Sequence, residues 1–185
     1  MKTMIGGLVV AIAVLVAPGV GFAGSTWTYR DNDGSWHKAT AELESRSGST
    51  VTGKVTFSEH DGKVRMKVVV KGLTPGLHAI HLHDKGDCSA PDASSAGGHW
   101  NPSSQDHGKW GHSPFHHGDI GNLVANAKGR AKMTVESDLW TLGDGTASDI
   151  AGQSVIVHAE EDDFTTQPTG NAGGRVACGE IPRFQ

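Results

Sequence analysis

From residue 38 onward, apolar and polar residues alternate with a period of two, the pattern of strands covered on one face. Ala39, Ala41 and Leu43 alternate with Lys38, Thr40, Glu42 and Glu44. Val51, Val55 and Phe57 share one face of the next run, with Thr52, Lys54 and Thr56 on the other. Asp61-Gly62 then marks a hairpin, because both residues tolerate the positive φ of a tight two-residue turn. Val64, Met66, Val68 and Val70 alternate with Arg65 and Lys67, and Pro75-Gly76 turns the chain again. Further strands are predicted over 78–83, 123–126, 131–136, 154–159 and 175–179. About eight short antiparallel strands predict an all-β sandwich or barrel.

Two stretches break the rhythm. Residues 84–120 and 160–174 are rich in Gly, Ser, Pro, His and Asp, and irregular loops of this length inside one domain are usually functional. At the other end, residues 1–23 read as a cleaved leader. Lys2 gives a positive start, 5–16 is an unbroken apolar and Gly run, and Gly21-Phe22-Ala23 suits a signal peptidase. The uncharged run 3–29 is long enough to span a bilayer, but Pro18, several Gly and the missing basic flank favour cleavage over anchoring. Residues 24–37, with Trp27, Tyr29 and Trp36, form an N-terminal extension before a domain spanning 38–185.

Composition narrows the function. The 185 residues suffice for one domain, and the net charge of −4 is small and of the wrong sign for a nucleic-acid binder. The anomaly is eleven His beside one Tyr and two Cys. In an exported domain, Cys88 and Cys178 most simply form one disulfide, worth about 4–5 kcal/mol for a loop of that length. Neither Cys sits in a C-x-x-C or C-x-x-H unit of the kind that binds metal.

His81-Leu82-His83 places two imidazoles at i and i+2, on one face of a strand, at the mouth of a His-rich loop. That arrangement suits a metal. His78 has the opposite parity and reads as structural. His99, His107, His116 and Asp119 follow, three imidazoles and a carboxylate that suit a closed tetrahedral zinc site, or else a merely polar loop. His158 ends the apolar run Val155-Ile156-Val157; it is a buried structural ring unless that strand end meets the face of His81 and His83. An all-imidazole site with an accessible position suits copper.

At this point a resemblance is carried by Gly76-Leu77-His78-Ala79-Ile80-His81-Leu82-His83, Gly86-Asp87-Cys88, Ala96-Gly97-Gly98-His99-Trp100-Asn101-Pro102, Gly118-Asp119-Ile120-Gly121-Asn122 and Gly170-Asn171-Ala172-Gly173-Gly174-Arg175-Val176-Ala177-Cys178-Gly179. In this order the segments resemble copper/zinc superoxide dismutases, from about Lys38 to Ile181. The resemblance implies a Greek-key β-sandwich and an enzyme converting superoxide to dioxygen and hydrogen peroxide. It implies copper on His81, His83, His99 and His158, and zinc on His99, His107, His116 and Asp119, so that the His99 ring bridges both metals. Asp162 matches a carboxylate hydrogen-bonded to one ligand of each metal, Arg175 an arginine of the substrate channel, and Cys88 with Cys178 the disulfide.

Cys88 follows His83 by five residues, as in bacterial members, and the second loop lacks the charged cluster of animal enzymes. His112 and His117 have no place in the family pattern and read as solvated loop residues. The implied partners are superoxide alone, with no nucleic acid, no stable membrane association after cleavage, and either a monomer or a homodimer. The implied location is the periplasm or the exterior. Two other classes compete: a metal-storage protein without turnover, and an interaction module built on Trp27, Trp36, Trp110 and Trp140.

Overall fold

Eight of the strands in the structure, a computed structural model describing residues 26–28 and 37–183, take up the eight predicted runs. The leader and most of the 24–37 extension lie outside the described residues. The strands are β1 (Thr26–Thr28), β2 (His37–Ser45), β3 (Thr52–His60), β4 (Lys63–Lys71), β5 (Gly76–His83), β6 (Asp119–Ala125), β7 (Arg130–Ser137), β8 (Ser154–His158) and β9 (Arg175–Glu180). Their order is β6-β5-β8-β9-β2-β3-β4-β7, with every neighbouring pair antiparallel. β6 and β7 approach each other at the two ends of this path, so the sheet is a nearly closed all-β barrel. The links from β4 to β5 and from β7 to β8 cross the barrel rather than joining neighbours, as in a Greek key.

Burial follows the alternation. Along β4 every second residue is buried and the others are exposed. Phe57 and Met66, opposite each other in the β3–β4 ladder, are fully buried with Leu82, Leu123, Trp140 and Ile150 in one core. The Asp61-Gly62 hairpin forms as read, with both residues at positive φ. β1 lies in the extension and pairs with β2, with Thr26 opposite Thr40. Trp110 packs on Trp140 at 5.1 Å between ring centroids, so these two indoles belong to the core and its margin.

Strand boundaries shift from the sequence reading by one to four residues. β2 begins at His37, one residue early. β6 begins at Asp119 rather than 123, which shortens the first loop to 84–118. The segment Asp119-Ile120-Gly121 shows no alternation because all three residues are buried, and the ladder is irregular between Ile80 and His81. A strand covered on both faces leaves no period-two signal.

The loops close over one wall of this barrel. From His78 to His83 every residue of β5 is buried, as are all five of β8. The Cys88–Cys178 disulfide fastens the first loop to β9 and packs with Ala93, Ala96 and Ile156 in a small cluster outside the main core.

Candidate metal centre

β5 and β8 are paired, with His81 opposite Ile156, and this brings His158 at the end of β8 beside the outer face of His81 and His83. The loop delivers the fourth ring. His99 forms an isolated backbone bridge with His83, and Trp100 N donates to Leu82 O at 2.8 Å, so His99 is held against β5 as firmly as a short strand. Ring centroids of His81 and His99 lie 4.0 Å apart, and those of His83 and His158 5.7 Å. Each of the four rings offers a nitrogen within 4.8 Å of the others'.

A second group shares His99. His99, His107, His116 and Asp119 also offer ligand atoms within 4.8 Å of one another. Asp119 Oδ1 lies 2.8 Å from His99 Nδ1, 3.0 Å from His107 Nδ1 and 3.0 Å from His116 Nδ1. His99 Nδ1 and His116 Nδ1 are 3.4 Å apart. A tetrahedral site with bonds of 2.0–2.1 Å has ligand–ligand edges of about 3.3 Å, close to this spacing. Asp119 reaches the group because it is paired with His81 in the β5–β6 ladder.

The ring nitrogens test whether metals fit. His83 Nδ1 bonds to Gly97 O, His158 Nδ1 to Gly173 O and His81 Nε2 to Asp162 Oδ2. That leaves His81 Nδ1 and the Nε2 atoms of His83, His99 and His158 buried with no hydrogen-bond partner in the protein. Four orphaned, converging lone pairs would be costly in a core built only for stability. A cation accounts for them. Burial drives His83 and His158 well below the ordinary histidine range, and nearby imidazoles and Arg175 add to it. Burial likewise lowers His99 to about 4 and outweighs the pull of Asp162 at His81. These rings are therefore neutral near pH 7, the state that donates to a metal.

At His107 the balance reverses. Burial would lower His107, but hydrogen bonds to Asp119 and Asp162 raise it to about 9 without metal. The carboxylates resist burial and are held far below their ordinary range by His107 together with His116 and His99 for Asp119, and with His81 for Asp162.

Asp162, itself buried, links the groups: Oδ2 lies 2.8 Å from His81 Nε2 and Oδ1 2.9 Å from His107 Nε2. Such links fix ring orientation and tautomer. The backbone of Asp162 is clamped in turn by Asn122, whose Oδ1 accepts from Asp162 N and whose Nδ2 donates to Asp162 O. Gln167 clamps His107 the same way: Oε1 accepts from His107 N, and Nε2 donates to His107 O, both at 2.9 Å. Asn122 enters the sequence reading only as part of a matched segment, without a role, and Gln167 is not singled out, since a lone Gln in a polar loop has no distinguishing neighbours. Gly170 leaves the space this cluster occupies; a Cβ there would lie 2.0 Å from Asp162 Oδ1 and 2.6 Å from His107 Nε2.

Arg175, half-buried, donates from Nη1 to Ala93 O and from Nη2 to Gly97 O. Gly97 O thus serves both Arg175 and His83, which places the guanidinium beside the first group. His78 is structural as read: its Nδ1 bonds to His158 O at 3.0 Å and its Nε2 to Thr74 O at 2.9 Å. His112 is exposed. His117 is not solvated, contrary to the sequence reading. It is half-buried, its ring packs on Trp100 at 5.6 Å, and its carbonyl accepts from Trp140 Nε1.

A β-barrel carrying two imidazole-rich groups joined through one shared ring has the donor sets of a two-metal protein. The family model for copper/zinc superoxide dismutase matches residues 51–181. A Cu-Zn superoxide dismutase of Caulobacter vibrioides is 43% identical over 148 residues, covering 77% of this chain and 84% of its own. One from Aquifex aeolicus is 36% identical over 148 residues, covering 78% and 86%. An extracellular Cu-Zn superoxide dismutase of Drosophila melanogaster is 41% identical over 139 residues, covering 71% and 75%. Among solved structures, a double mutant of a SOD-like protein from Bacillus subtilis aligns with a TM-score of 0.70 and 32% identity, over 77% of this chain and 96% of its own. The clock protein EA4 aligns with a TM-score of 0.71 and 35% identity, over 84% of this chain and 100% of its own. The chain belongs to the copper/zinc superoxide dismutase family, oxidoreductases that act on superoxide and carry copper and zinc.

Proposed function

We propose that the protein is an exported enzyme that converts superoxide to dioxygen and hydrogen peroxide. The observation carrying this reading is the position of His99, whose orphaned Nε2 belongs to one group while its Nδ1 lies against Asp119 in the other. In this reading His81 Nδ1 and the Nε2 atoms of His83, His99 and His158 hold copper, because an all-imidazole set suits a redox-active copper ion. His99, His107, His116 and Asp119 hold zinc, which favours three nitrogens and a carboxylate in a closed tetrahedron. Bound there, copper supplies the one-electron couple that dismutation requires, and zinc a fixed charge that shifts the proton affinity of the shared ring.

The remaining steps belong to side chains of this chain. His99 Nε2 is the atom at which a proton is held and then given to the reduced substrate, as general acid. Asp162 keeps His81 and His107 in the orientations that aim their Nδ1 atoms inward. Arg175, fixed by two loop carbonyls, provides the permanent positive charge that draws in and orients a small anion. The chain carries net charge −4, so this attraction is local to the site. Export is supported by the apolar run at 5–16, the Gly21-Phe22-Ala23 site and a disulfide that persists in oxidising compartments.

The test is metal analysis and superoxide consumption on the protein loaded with copper and zinc. Stoichiometric binding of both metals with turnover supports the reading; binding without turnover leaves a storage protein. The variant His83→Ala should lose copper and activity while retaining zinc, and full activity in it refutes the copper assignment.

A further inference from the structure

The outer face of the β3–β4–β7 wall carries a charge pattern that the metal centre does not use. The outward residues of β4 are Lys63, Arg65, Lys67, Val69 and Lys71, all exposed, so four of five positions are cationic. Val69, half exposed, stands between Lys54 on β3 and Lys132 on β7, and Lys71 lies beside Arg130. Lys54, Lys71, Arg130 and Lys132 line one shallow groove. Against these seven cations, the three strands turn one carboxylate outward, Glu136, which pairs with Arg65, while Glu42 of β2 pairs with Lys54 at 2.8 Å. Among the described residues Lys67, Lys71, Arg130 and Lys132 make no ion pair.

The chain as a whole is acidic, so this face reflects segregation of charge rather than composition. Asp84, Asp87, Asp92, Asp106, Glu160, Glu161 and Asp163 are exposed on the two loops attached to the other wall. Lysines on an edge strand serve to block pairing with other chains. β4 is paired on both sides, and that role does not apply to it.

We infer that this wall docks the protein on a linear anionic polysaccharide, a polymer bearing closely spaced carboxylate or sulfate groups. Alternate residues of a strand are about 6.7 Å apart, so the β4 cations form a ridge about 27 Å long that an extended chain can follow. A protein partner would need buried aromatic or aliphatic anchors, and Val69 is the one large apolar side chain exposed on the wall. A membrane is planar and favours cations combined with inserting apolar residues, whereas this wall is the curved outside of a barrel. Repulsion of the acidic loops orients the molecule with its metal centre away from the polymer.

The test uses metal-loaded protein with heparin as the polymer and phosphatidylglycerol vesicles as the competing surface. Heparin affinity should fall about a hundredfold between 50 and 200 mM salt, the dependence of four to five phosphate-like contacts. The pair Lys67→Glu with Lys132→Glu should weaken binding at least tenfold and reduce the log–log salt slope by about two. The matched pair Lys85→Glu with Lys109→Glu, on the acidic loop, should leave heparin binding intact. No binding at low salt, an equal loss in both pairs, or tighter binding to the vesicles overturns the inference. Retention is read independently of turnover, so this result and the catalytic one stand or fall separately.

Discussion

The two walls of the barrel obey different rules. On β4 burial alternates residue by residue, because the core covers one face and water the other. On β5 and β8 the alternation disappears, because the loops 84–118 and 159–174 lie over the outer face. The first wall spends its inward residues on Val55, Phe57, Met66 and Val68, all without polar atoms to satisfy. The second buries His81, His83 and His158 on the face that β4 would give to Lys or Arg. A barrel becomes a chemical site where it is roofed. Roofing removes water from the imidazoles, lowers their proton affinity and leaves lone pairs aimed at one another.

The largest blow to the plain wall is Phe57→Ala, which should cost about 3–5 kcal/mol in denaturant unfolding. Metal content of the folded fraction should be unchanged; a parallel loss of metal would mean the walls are less separate than drawn. Acid sharpens the contrast from the roofed side. The folded pKa values of His81, His83, His99 and His158 are depressed below the 6.5 of an ordinary histidine, so the unfolded chain takes up protons first. In the metal-free protein their contribution to stability holds above pH 6.5 and is lost as pH falls below it, for His99 through about 4. His107 runs the other way, its contribution present below 6.5 and lost as pH rises through about 9. Unfolding midpoints of the metal-free protein should therefore drop on acidification from 6.5, and a flat profile would show that the rings accept protons in place.

Smaller effects probe the ties beneath the roof. Asp162→Ala should weaken both metals by about 10–100-fold in chelator competition, since the carboxylate orients one ring of each group. Loss confined to one metal would show that the two groups are not coupled through it. Gln167→Ala removes two hydrogen bonds to the His107 backbone, about 1 kcal/mol each, and should weaken zinc several-fold with copper unchanged.

What the sequence made legible follows the same division. The plain wall was readable strand by strand, because half-buried strands write their burial into alternation. His81 and His83 stood out by their spacing, whereas the full sets, with His158 in the first and His99, His107, His116 and Asp119 in the second, came only with the family resemblance; the structure brings each set within reach. The start of β6 was hidden, since Asp119-Ile120-Gly121 is covered on both faces. Asn122 and Gln167 were hidden for another reason: their roles rest on backbone atoms of distant residues, and nothing in local composition marks such a contact. His117 was misread because its shelter comes from Trp100 and Trp140, far apart in the chain.

The pairing of His81 with Asp119 in the β5–β6 ladder has a consequence for how the two ligand groups are spaced. One member of each group stands on the same rung, on neighbouring strands, so the sheet itself acts as the ruler between them. Residues inserted or deleted within 84–98, a stretch that holds none of the ligands, would change the cover while leaving that gauge untouched.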